Sequence, residues 1–169
     1  MKMICAAAAL TAAALWTTTA SIAADLPQPS GDVILTVTGN IAHSNFEGEA
    51  RFDRAMLEAL GTTQIKTATP WHEEAVTFEG VPFKALIDFV GGEGESINAI
   101  ALNNYGTTIP MADIQETGVI LATKLNGQDM EVRDKGPIFV IYPYDSDPKL
   151  KTQTYYARSA WQVTRLSVE

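Results

Sequence analysis

Three short clusters in this chain carry side chains suited to holding a flat, polar ring. Thr67-Ala68-Thr69-Pro70-Trp71-His72 sets a proline directly before a large aromatic at the end of a strand-like stretch. The proline fixes its own φ and pushes Thr69 toward extended geometry, so Trp71 is presented stiffly, as a stacking surface requires. A core tryptophan beside a loop is the plainer alternative. Ala101-Leu102-Asn103-Asn104-Tyr105-Gly106 ends an apolar stretch in two amides and a phenol. Amides present donors and acceptors together, the chemistry that reads the edge of a heterocycle, although a polar turn has the same composition. Arg133-Asp134-Lys135-Gly136-Pro137 gathers three charges ahead of an apolar run. Such a run is ordinarily solvated surface, yet an arginine beside aromatic rings can stack or donate a fork of hydrogen bonds. Tyr142-Pro143-Tyr144 and Arg158-Ser159-Ala160-Trp161 add further aromatic platforms and another guanidinium.

Other chemistries find no support. His43 and His72 are the only histidines and have no acidic or cysteine partners at ligand spacing, which argues against a metal site. There is no Gly-x-Ser-x-Gly, no Gly-x-x-x-x-Gly-Lys and no dinucleotide fingerprint. Gly91, Gly92 and Gly94 follow a helical pattern and read as its C-terminal cap.

The elements that must position these clusters are strands with short helices between them. Val33, Leu35 and Val37 alternate with Ile34, Thr36 and Thr38 as a β-branched strand. Phe52 to Leu60 has helical apolar spacing and stops at Gly61, and Pro82 opens a second helix through Phe89 with Phe83, Leu86, Ile87 and Val90 on its apolar side. Further strands are expected at 63–69, 75–78, 97–102, 107–109, 119–124, 129–132, 138–142 and 161–168, with a helical turn around Pro110 to Ile114. Asn126-Gly127 is a type I′ hairpin signal. Asp145 to Thr154 is polar and reads as a mobile loop. The lack of regular βαβ alternation points to an α+β domain.

The 169-residue chain carries a formal net charge of −8, which speaks against nucleic acid or anionic lipid as partners. Lys2 followed by the small and apolar run Ala6 to Trp16, with small residues at Ser21 to Ala24, has the form of a secretory signal peptide, too short to span a bilayer. Residues 1–24 are therefore expected to leave, and 25–169 to form one periplasmic domain without membrane insertion. The only cysteine, Cys5, would leave with the leader.

The ordered set Thr-x-Thr-Pro-Trp, Val76-Thr77-Phe78-Glu79-Gly80-Val81-Pro82, Ala-Leu-Asn-x-Tyr, Ile109-Pro110, Leu121-Ala122, Asn126-Gly127, Arg-Asp-Lys-Gly-Pro, Ile141-Tyr142-Pro143 and Arg-x-x-Trp-Gln resembles the small exported relatives of the sulfite-oxidase catalytic domain, which bind molybdopterin or pterin. It runs from about Val33 to Val168. The resemblance implies a mixed-sheet α+β fold with a pterin held among loops at one side. In the family's enzymes a cysteine sulfur ligates molybdenum, and here it would fall near Ala68 or Thr69, where there is none. A threonine is a poor substitute for a soft thiolate. The resemblance thus narrows to a subgroup of pterin-responsive proteins that work with membrane-bound signalling enzymes, typically those handling cyclic di-GMP. It implies a non-catalytic pterin sensor in which Trp71 is a stacking wall beside Thr69, and Asn104, Tyr105, Arg133 and Tyr142 read edges and substituents. Lys135 and Arg158 would meet a phosphate or lie exposed. The rival expectations are a molybdopterin oxidoreductase whose metal is held by the cofactor alone, and an interaction module whose pocket is filled by side chains.

Overall fold

A computed structural model describes residues 26–169 and shows two five-stranded sheets with four short helices. The expected leader lies outside the described residues. Among the described residues no helix is long and apolar enough to cross a membrane.

The first sheet runs in the order β2 (Ala50–Phe52), β1 (Leu35–Gly39), β10 (Val163–Val168), β5 (Ser96–Ala101), β6 (Gly106–Pro110). β1 pairs with β10 in parallel, Thr36 opposite Arg165, whereas the other pairings are antiparallel, so this sheet is mixed. The alternation read from the sequence pins it at Leu35 and Val37, which are fully buried, whereas Val33, expected on the same face, precedes β1 and is exposed. The second sheet is antiparallel, β3 (Thr63–Thr67), β4 (Val76–Pro82) and β7 (Ile120–Leu125) side by side. β8 (Gln128–Asp129) and β9 (Phe139–Ile141) share the far edge of β7.

Residues 120–123 of β7 are buried on both faces because two apolar clusters flank the sheet. Leu121 and Val140 face the main core, while Ile120, Ala122, Phe139 and Ile141 join Phe78 and Met130 in a smaller one. β4 crosses β7 closely at Gly80, where an added Cβ would lie 2.1 Å from the Leu121 carbonyl oxygen, and the register slips between Glu79 and Gly80.

Helix α1 (Arg54–Ala59) is shorter than its sequence pattern, since Phe52 belongs to β2 and Asp53 caps the helix by accepting from Met56 N at 2.8 Å. Helix α2 (Phe83–Val90) buries the four residues expected and ends at Gly91 in the left-handed region, φ 60°. Helix α3 (Met111–Glu116) follows Pro110. The Asn126-Gly127 turn has positive φ at both positions, 49° and 79°, as a type I′ hairpin requires.

Two expectations are corrected. The strand expected over 129–132 stops at Asp129, because Val132–Asp134 winds into a 3-10 turn that Gly136 N closes onto Glu131 O at 2.8 Å. The stretch 145–154, expected to be a mobile loop, is structured. Asp145 accepts from Ala68 N at 2.7 Å and pairs with Lys151 at 2.6 Å, Asp147 caps a 3-10 turn over Pro148–Leu150, and Leu150 is buried. Its polar residues act as ties, and its last two residues already belong to an unanticipated helix, α4 (Gln153–Arg158).

Candidate functional site

Trp71 is half-buried at the meeting point of both apolar clusters. Its ring lies 5.2 Å from Phe139, 5.8 Å from Trp161, 6.1 Å from Tyr156 and 6.5 Å from Tyr144 between centroids. The turn that presents it is built by Thr69, whose buried hydroxyl accepts from Trp71 N at 3.2 Å and pairs with His72 Nδ1 at 2.8 Å. Burial, then the nearby Lys135 charge, push the His72 imidazolium below its usual range.

A cleft of about 480 Å³ opens over this turn. One side is Pro70 and Trp71, the second is Ala101, Asn103 and Tyr105 between β5 and β6, and the third is Gln153, Tyr156 and Ala157 of α4, with Ser159 to Trp161 behind. Trp161 keeps 39% of its surface exposed and Tyr105 52%. The Trp71 and Trp161 planes are inclined at 74°, so a flat guest lying parallel to one indole stands nearly perpendicular to the other. Gln153 and Asn103 put amide groups at the walls, the Asn103 Oδ1 accepting from Tyr105 N at 3.0 Å.

α4 stands as a wall because it is tied from behind. Arg158 donates to Asp113 Oδ2 at 2.8 Å and lies 5.4 Å over the Tyr155 ring; Tyr142 donates its hydroxyl to the same carboxylate oxygen at 2.9 Å. Thr107 donates to Ala157 O at 3.1 Å, and Ser159, hydrogen bonded to the Tyr144 hydroxyl, donates to Tyr155 O. Burial, reinforced by the Asp113 charge, pushes the Tyr142 phenol far above its ordinary range, and burial raises Tyr144 to about 12, so both stay protonated.

Of the residues expected to contact a ring, Trp71 and Tyr105 lie in the cleft, with Thr69 beneath them. The others stand elsewhere. Asn104 turns into the left-handed region at φ 62°, and its neighbour Asn103 lines the cleft instead. Tyr142 has no exposed surface and its hydroxyl is committed to Asp113. Arg133 is 77% exposed and paired with Glu131 and Asp134, Lys135 sits near His72 outside the cleft lining, and Arg158 turns back to Asp113. Tyr156, Gln153 and Asn103 were missed: Gln153 falls in the stretch read as loop, Tyr156 lies on a helix that the sequence pattern did not mark, and Asn103 is the unchosen member of an Asn-Asn pair. Trp161 was legible as an aromatic platform.

The donor set does not fit protein ligation of molybdenum. The described residues contain no thiol, the Thr69 hydroxyl is internally bonded, and no group of three His, Cys, Asp or Glu side chains among them could hold a metal ion. The aromatic and amide lining does fit a flat bicyclic ring with a donor and acceptor edge.

No family model matches the chain, and no curated protein matches it. Among solved structures it is similar to the sulfane dehydrogenase SoxCD from Paracoccus pantotrophus, with a TM-score of 0.55 and 16% identity, covering 79% of this chain and 37% of that one. At this identity the likeness establishes a distantly shared α+β fold. The chain spans little more than a third of the SoxCD chain.

Proposed function

We propose that this protein binds a pterin in the cleft walled by Trp71, Tyr105, Tyr156 and Trp161, without catalysing a reaction, and signals the bound state to a partner. The observation that carries this reading is the corner formed by Trp71 and Trp161, two indoles left partly open in a cleft edged by amides. The ordered motifs that resemble the sulfite-oxidase catalytic domain, and the fold shared with SoxCD, support a pterin as the flat guest. The missing thiolate supports binding without molybdenum redox chemistry. In the reading's full form the protein works in the periplasm after loss of residues 1–24, and its partner is a membrane-bound signalling enzyme of the cyclic di-GMP type.

The test is mass spectrometry of small molecules released on denaturing protein purified from its native host, with molybdenum measured on the same sample. The expected result is a stoichiometric pterin without metal. Molybdenum together with molybdopterin would replace this reading with an oxidoreductase, the activity class named for SoxCD. A cleft that releases no small molecule would favour an interaction module.

A further inference from the structure

Resting on the pterin reading, we infer that the cleft accepts the ring only in a phosphate-free form, so a phosphomonoester hydrolysis must act before this protein can bind its ligand. Among the described residues, none of the side chains lining the cleft belongs to Lys, Arg or His. The cations that could have met a phosphate are placed elsewhere. Arg158 lies on α4 itself, one residue from Ala157 of the lining, yet its guanidinium points away and is held on the buried Asp113 carboxylate. Arg133 is exposed among Glu131 and Asp134. Lys135 is absent from the lining.

A phosphate monoester carries about −1.5 to −2 charges at neutral pH and needs charged donors once it leaves water. Here it would exchange hydration for indole and phenol faces and two neutral amides, inside a chain whose formal net charge is −8. An uncharged pterin loses nothing of this kind, because its faces stack and its polar edge meets amides. The same argument separates this cleft from molybdopterin, whose phosphate would have no cation to meet.

The full-length protein is titrated with neopterin and with neopterin monophosphate, each in oxidised and tetrahydro form, following tryptophan quenching. Two of the three tryptophans, Trp71 and Trp161, line the cleft and report occupancy directly. Neopterin is expected to bind and its monophosphate to bind at least about tenfold more weakly. A Gln153→Arg variant, which supplies the missing cation, is expected to narrow that gap, most clearly at low salt. Equal or tighter binding of the monophosphate overturns the inference and leaves the pterin reading standing. Failure of every form to bind overturns the pterin reading and this inference with it.

Discussion

Replacing Trp71 with alanine tests whether this ring is at once a packing element and a binding wall. A fully buried tryptophan or phenylalanine costs about 3–5 kcal/mol when truncated to alanine. Trp71 is half-buried, but it touches four aromatic rings and belongs to the packing of both apolar clusters. The inward half of the ring carries this packing, and the exposed face contributes none. Losing the inward half of the ring should therefore cost about 2–3 kcal/mol. With a urea slope near 2 kcal/mol/M, the midpoint followed by far-ultraviolet circular dichroism should fall by about 1–1.5 M with the slope unchanged. Trp71→Phe should recover at least half of the loss, since a smaller ring still meets Phe139. A midpoint shift below about 0.3 M would show that the ring contributes little to packing and refute its place between the clusters. A loss above about 4 kcal/mol would show a core residue with no free face and remove it from the cleft.

Three further outcomes follow from the same geometry. Asp53 accepts from Ser30 N, Gly31 N and Met56 N, bonds that favour its charged form and hold its carboxyl below the ordinary 3.8. Its contribution is therefore complete above the unfolded value and lost as pH falls through the lower folded one; Asp53→Ala should cost about 2 kcal/mol at pH 7, a difference from wild type that shrinks below about pH 4 in denaturation series. Asp113→Ala strands the Tyr142 hydroxyl and the Arg158 guanidinium and should cost about 2–4 kcal/mol, with a coupling to Arg158→Ala of about 1 kcal/mol; strictly additive losses in the double-mutant cycle would show that the tie does not hold α4. Gly80→Ala drives a methyl into the Leu121 carbonyl and should cost about 1–3 kcal/mol, visible as a lower thermal midpoint; an unchanged midpoint would show that β4 and β7 separate easily there.

Local pattern was a reliable guide wherever burial follows chain periodicity. The alternation at Leu35 and Val37, the apolar face of α2, its glycine stop and the Asn126-Gly127 turn were all legible, because each depends on side-chain spacing or on a dihedral that few residues adopt. The same logic singled out Thr69-Pro70-Trp71, where Trp71 N donates to the Thr69 hydroxyl and the indole lines the cleft.

Only the tertiary structure decided what those elements surround. Helix α4 was illegible because none of its residues is fully buried; it is held by Tyr155 and Tyr156 against other tyrosines and by Arg158 on Asp113, 45 positions earlier. That long-range tie turned an arginine away from the cleft and closed Tyr142 inside the fold. Which of two adjacent amides faces the cleft was settled by one left-handed residue, Asn104, in the turn between β5 and β6. Composition and spacing determined that aromatic, amide and cationic groups were available on an α+β framework, and the family resemblance implied that its sheet is mixed. The pairing of β1 with β10, and of α3 with α4, joins segments far apart in sequence through contacts that leave no local periodicity, and these selected aromatics and amides for the cleft and left the cations outside it.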